Sequence, residues 1–350
     1  MDLDRSSTID SAEVAGMYRT PNVTYVYVDD IKKWLNFIEM VADGHRDRKC
    51  PWVFRGQEDA KWGVRSSFDR SLNRIDFCPP EHRMHDIEQK LVDAENGNFR
   101  DFRRYVARLP QNRIPQKKTR LGWFALMQHY GVPTRLIDFT RNPFVALYFA
   151  VEKGFNDYSI WMIDSFRVGV HNEKCTDRDW NMLMRKNRMI AEKIWCKHSL
   201  MYGEQTRDRV LFVELDSDES NERIEAQEGL FMMPTQLSIA SSLIFDDSFN
   251  IPRRDKLCDF NGMTGADYVT IKFDEFISCW ELFSERKCVC FKFSKDTRRM
   301  AIQEGLFNRN MTPTSLFPDY GYSFELEQIA RTLALERRAK AILTLLPFTY

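Results

Sequence analysis

An arginine and a glycine close the apolar run Trp52-Val53-Phe54-Arg55-Gly56-Gln57. Arginine presents a planar fork of donors that fits a pyrophosphate or a carboxylate. The glycine after it lets another backbone or a ligand come close. A structural ion pair is the plainer use of Arg55. A second concentration of polar residues lies between Leu121 and Glu152, where Gln128, His129, Tyr130, Thr134, Arg135, Asp138 and Thr140 follow one another closely. Buried polar groups must find partners or lose stability, so a segment that only filled a core would not carry this set. His129 could serve as a general acid or base near neutral pH, although a satisfied structural histidine is the commoner outcome. Thr140 stands just before a helix start, where backbone N–H groups and the helix dipole favour a phosphate; the plainer reading is that Thr140 and Asn142 only cap that helix. A third set, Glu225, Gln227 and Glu228, sits beside Gly229, with solvated edge charges as its default explanation.

Short elements must position these residues. The patterns predict strands over Thr24–Val28, Trp52–Arg55, Trp62–Arg65, Thr134–Thr140, Tyr158–Asp164, Val210–Leu215, Leu230–Met233, Tyr268–Phe273 and Cys288–Phe293. Helices are predicted from Ile31 to about Ala42, Glu81 to about Ala107, Arg120 to Tyr130 (stopped at Gly131), Phe144 to Lys153, Thr297 to Leu306 with Gly305 as C-cap, and Phe324 to Lys340. Asn142 caps the helix that Pro143 begins. On an extended Thr134–Thr140, side chains alternate, so Arg135 shares a face with Ile137 and Phe139, while Asp138 shares the other with Leu136 and Thr140. The same alternation sets Glu225 and Gln227 on one side and Glu228 on the other. Residues 1–20 read as a flexible N-terminus and 21–350 as one domain, with a helical insertion at about 167–208. Gln-Glu-Gly-Leu-Phe recurs at 227–231 and 303–307, each with Pro-Thr a few residues on, but no wider match accompanies it and it reads as coincidence.

Several function classes fall away. Lys+Arg and Asp+Glu both number 51, so any basic surface is a local patch. The eight cysteines include no CxxC pair and read as reduced and structural, Cys288 and Cys290 sharing one strand face. No His, Cys or carboxylate set has ligand spacing, so no metal is expected. No apolar run has the length of a membrane span and no secretory signal opens the chain, which points to the cytoplasm. Walker, GxGxxG and GxSxG motifs are missing.

Phe54-Arg55-Gly56, the run through Trp62, Ser67 and Arg70, and above all Gln128-His129-Tyr130-Gly131-Val132-Pro133-Thr134-Arg135-Leu136-Ile137-Asp138-Phe139-Thr140 resemble the FRG domain. Arg223–Phe231 and Leu316-Phe317-Pro318-Asp319 look like its later elements, so the resemblance spans about residues 50 to 330. A more distant resemblance is to ADP-ribosyltransferases of the arginine–serine–glutamate type, with Arg55-Gly56, Asp138-Phe139-Thr140 and Glu225-Ala226-Gln227 in the positions of their three strands. Gln227 departs from that pattern, standing where a glutamate would stabilise the ribosyl cation, and leaves Glu225 or Glu228 to supply the charge. The resemblance implies an α+β single domain with a mostly antiparallel, split central sheet flanked by helices. It also implies NAD as co-substrate and a protein or nucleic acid acceptor, in a toxin or phage-defence effector that a partner protein regulates. Arg55, Gly56, Gln57, Arg135, Asp138 and Thr140 would then hold NAD, Tyr130 or Tyr148 would stack on nicotinamide, and Glu225, Gln227, Glu228 and His129 would act in catalysis. The competing readings are a non-catalytic FRG interaction module and a metal-free RNA-processing enzyme. If the site is shared, Arg55, His129, Arg135, Asp138, Thr140 and Gln227 converge on one cleft.

Overall fold

The computed structural model of the protein describes residues 23–43, 52–74, 81–108, 119–167, 179–196, 210–216, 218–241, 268–278, 280 and 288–318. The expectations for residues 1–20, for Phe324–Lys340 and for most of 167–208 lie outside them. Eight strands make one sheet: β1 (Val23–Val28), β2 (Trp52–Gln57), β3 (Ile137–Thr140), β4 (Tyr158–Asp164), β5 (Val210–Val213), β6 (Gly229–Pro234), β7 (Tyr268–Lys272) and β8 (Cys288–Phe293). Their order across the sheet is β5-β6-β3-β2-β4-β8-β1-β7. Only β1 pairs in parallel, with β7 and β8, and every other pairing is antiparallel. The helices used below are α1 (Ile31–Asp43), α2 (Ser67–Ser71), α3 (Glu81–Val106), α4 (Arg120–His129), α5 (Pro143–Val151), α6 (Trp180–Cys196) and α7 (Glu222–Ala226). The architecture is α+β with a mostly antiparallel mixed sheet.

Strand alternation feeds a separate core on each face of the sheet. Phe54, Ile160, Met162 and Phe291 pack under α1 and α5. Val53, Trp161, Ile163, Cys288 and Cys290 pack on the opposite face with Trp180 and Met184 of α6. β4 is therefore buried at every position, which explains its unbroken apolar sequence. Cys288 and Cys290 share a face as expected and are free thiols. Burial pushes the Cys290 thiol up to about 12, so it stays protonated and acts as an apolar side chain.

The position of α5 depends on Gly56. A Cβ there would lie 2.8 Å from the Ala150 nitrogen and inside contact distance of the Ala146 carbonyl, both backbone atoms of the helix. Neither can yield without moving the helix off the sheet. Gly56→Ala is expected to lower stability in denaturant titration by roughly 1–3 kcal/mol or more, as overpacking does. A loss within about 0.5 kcal/mol would show that the approach is looser than described.

Three local expectations require correction. Trp62–Arg65 is a loop rather than a strand. β3 begins at Ile137, because the backbone of Thr134 is engaged elsewhere: its N–H donates to the Ser67 hydroxyl (3.0 Å) and its carbonyl accepts from Phe68 N (3.0 Å). Gly305 caps nothing; it lies within the helical turn Ala301–Leu306, where an added Cβ would meet Leu147 at 2.7 Å.

Candidate functional site

The sheet is nearly parted at its middle. β2 and β3 share a single bridge pair, Phe54↔Thr140. Continuing that register would set Arg55 opposite Phe139 and Gly56 opposite Asp138, yet no bridge forms there. β2 remains paired to β4 through Gln57, and β3 remains paired to β6 from Ile137 to Thr140. The two strands therefore diverge, and the opening is a cleft of about 610 Å³, within the range of small-molecule sites. The Arg55 side chain crosses the gap, with Nη1 donating to the Asp138 carbonyl at 2.6 Å.

Arginines dominate the walls. Arg55, Arg65, Arg70 and Arg223 line the cleft against two acids, Glu58 and Asp138. Burial pushes the Arg55 guanidinium down to about 10; nearby Asp138 partly offsets this and Arg70 adds repulsion. Its Nε is buried and has no hydrogen-bond partner among the described residues. An anion entering the cleft would relieve that desolvated charge. Burial also lowers Arg70, with Asp138 opposing the shift, and its Nη1 donates to the Arg65 carbonyl at 2.7 Å. The Asp138 carboxylate is exposed but fixed: Gln128 Nε2 donates to Oδ1 at 2.7 Å, and the Thr134 hydroxyl in turn holds the Gln128 carbonyl oxygen. His129 ends α4 at the cleft edge, its ring edge-on to Tyr130 with centroids 4.7 Å apart.

Of the residues expected in one cleft, Arg55, His129, Asp138, Thr140 and Gln227 line it, with Gly56 and Gln57, although 172 positions separate Arg55 from Gln227. Several of these side chains are engaged within the protein. Gln57 donates to the Gly63 carbonyl (3.1 Å) and accepts from Trp161 Nε1 (2.6 Å). The Thr140 hydroxyl donates to the Gln227 carbonyl (2.6 Å) and accepts from Asn142 N (2.9 Å), while Asn142 Oδ1 caps Phe144 N. Gln227 Nε2 donates to the Leu316 carbonyl at 2.9 Å. The plainer reading of Thr140, as part of a helix cap, is the one its contacts support.

The other candidates lie elsewhere. Arg135 is buried and paired with Glu95 of α3, Nε lying 2.9 and 3.0 Å from the two carboxylate oxygens. Tyr130 packs against the apolar cluster around Phe124 and Trp195. Tyr148 of α5 is buried in the core and donates to Glu152 at 3.1 Å; burial pushes its hydroxyl up to about 12. Residues 225–228 are not a strand. Asn221 Oδ1 accepts from Ile224 N at 2.8 Å and starts α7, Gln227 ends it, and Glu228 takes a left-handed φ of 47°. Alternation therefore does not divide these residues. Glu225 is exposed outside the cleft, and Glu228 turns to Asn142, accepting from Nδ2 at 2.8 Å. Sequence reasoning places Gln128 in the second polar set, Arg70 in the FRG-like run and Arg223 in the third block, but gives none of them a position in the cleft wall; Arg65 it does not single out. The signals for the first three are their membership of those polar blocks and of the FRG-like runs.

The FRG domain profile matches residues 50–158. Over that segment, about a third of the chain, the protein is similar to FRG domains. The matched segment contains β2 and β3, the two lips of the cleft, together with Arg55, Arg65, Arg70, Gln128 and Asp138. Arg223 and Gln227 come from beyond it. No curated protein and no solved structure matches the chain. Among the described residues no cluster of His, Cys, Asp and Glu is placed to hold a metal ion, and no helix is long and apolar enough to cross a membrane.

Proposed function

We propose that the FRG cleft binds NAD and transfers its ADP-ribose to a macromolecular nucleophile. The observation that carries this reading is a desolvated guanidinium beside a fixed carboxylate: the buried, unpartnered Nε of Arg55 near Asp138, which Gln128 holds in place. Arg55 and Arg70 bind the pyrophosphate. The bond between ribose C1′ and the nicotinamide nitrogen breaks, and the bonding pair leaves on nicotinamide. The Asp138 carboxylate, rather than Glu225 or Glu228, faces the positive charge that develops on the ribose. The acceptor's nucleophile attacks C1′ and His129 takes its proton.

Titration calorimetry with NAD tests the binding half. Arg55→Ala is expected to weaken NAD binding by about tenfold to a hundredfold, the loss of roughly 1.5–3 kcal/mol from hydrogen bonds to a charged group. Arg55→Lys restores little of it, because an ammonium lacks the planar fork. The internal bonds of Gln57, Thr140 and Gln227 favour a second reading, in which the polar cluster is a framework for a non-catalytic interaction surface. That reading prevails if Arg55→Ala lowers the melting temperature while wild-type protein neither binds NAD nor releases nicotinamide.

A further inference from the structure

The cleft is lined by one aromatic side chain that stands half-exposed outside the hydrophobic cores. Trp62 lines the opening and is 49% exposed. Among the described residues, no other aromatic ring and no cation packs against its indole. Apart from this residue and Phe149, the aromatics of the cleft wall are buried in the cores. Trp62 is also held firmly. The turn that follows β2 is closed by the Asp59 carboxylate, which accepts from Lys61 N at 2.8 Å and from Asn156 Nδ2 at 3.0 Å. Trp62 N donates to the Asp59 carbonyl at 3.1 Å, Ala60 N to the Asp157 carbonyl at 2.7 Å, and Gln57 anchors Gly63. An apolar face is thus displayed on a braced turn, three residues before Arg65, in a cleft that Arg70 and Arg223 also line.

A bare tryptophan in a solvent-open cleft leaves apolar surface in water, and a planar aromatic ligand would cover it. The four arginines that line the same cleft favour a ligand that is also anionic. Base stacking together with guanidinium–phosphate contacts is the combination by which proteins hold a nucleotide without reading its sequence. The seam at Asp138 receives the ribose that reacts, so the base on the rim is the one remote from it. We infer that Trp62 is the stacking platform for the adenine of the bound nucleotide, and that it sets the preference for a base-bearing ligand over a bare polyphosphate. This rests on the nucleotide reading of the same cleft.

The test compares ADP, nicotinamide mononucleotide and inorganic pyrophosphate by titration calorimetry on the full chain, in wild type, Trp62→Ala and Trp62→Phe. Trp62→Ala is expected to weaken ADP by about tenfold or more, to leave pyrophosphate and nicotinamide mononucleotide within about twofold, and to leave the melting temperature unchanged. Trp62→Phe is expected to keep most of the ADP affinity. Equal weakening of ADP and pyrophosphate, or dependence of nicotinamide mononucleotide rather than ADP on Trp62, overturns the inference while NAD binding stands. Trp62-dependent ADP binding without any nicotinamide release from NAD supports the inference and removes the transferase reading. A wild-type protein that binds none of the three overturns both.

Discussion

Glu95→Ala is expected to destabilise the protein by about 3–5 kcal/mol, the range found when one partner of a buried ion pair is removed. Glu95 and Arg135 are each 1% exposed. The carboxylate also accepts from Trp195 Nε1 at 3.3 Å, and the Arg135 guanidinium lies 6.0 Å from the Trp195 ring centre. One side chain thus ties α3, the approach to β3 and α6 together. Removing it strands a guanidinium where water cannot reach it. The penalty comes from the charge left behind more than from the attraction lost. Equilibrium unfolding in urea measures it, and the double variant Glu95→Ala with Arg135→Met is expected to recover a good part of the loss. A single-variant loss under about 1 kcal/mol would mean that solvent reaches Arg135, and would make it a ligand-binding candidate again.

The second large effect is catalytic. Asp138→Asn is expected to reduce nicotinamide release by about a hundredfold or more while NAD still binds, because electrostatic stabilisation of the developing charge commonly contributes most to the rate and asparagine carries no charge. The substitution is nearly isosteric and keeps an oxygen for Gln128. Glu225→Gln removes a carboxylate from outside the cleft and is expected to leave turnover unchanged. If Glu225→Gln is the damaging change and Asp138→Asn is silent, the proposed assignment of the carboxylate fails. Single-turnover measurements with saturating NAD separate chemistry from binding in each case.

Much of the frame is legible in the residues themselves. β4 and β8 span Tyr158–Asp164 and Cys288–Phe293, the ranges their β-branched and aromatic runs predict. The α5 start follows from Asn142 and Pro143. These are local signals, set by side-chain sterics and caps. The seam between β2 and β3 is not local. Nothing in Trp52–Gln57 announces that β3 will meet it at one residue, because the pairing joins segments 86 positions apart, Phe54 and Thr140, and local pattern does not set it. The third polar block misleads for a different reason. Strand alternation does not apply to 225–228, because Asn221 followed by Glu222 is a helix-start signature. Arg135 and Tyr148 show a further limit: a polar type in a dense polar segment says nothing of the side it will face.

A sheet joined at its middle by one bridge has an unequal division of labour. The lips of the cleft, with Arg55 and Asp138, belong to the segment matched as an FRG domain, and close packing on α5 fixes one of them. The far wall, with Arg223 and Gln227, is built by a short helix outside that segment. Substitutions of side chains in this outer wall, Arg223 among them, can reshape the entrance and its charge while Arg55 and Asp138 keep their places on β2 and β3. Evolution can thus change what the cleft admits along one coordinate while the charged pair at the seam, Arg55 and Asp138, is preserved along another.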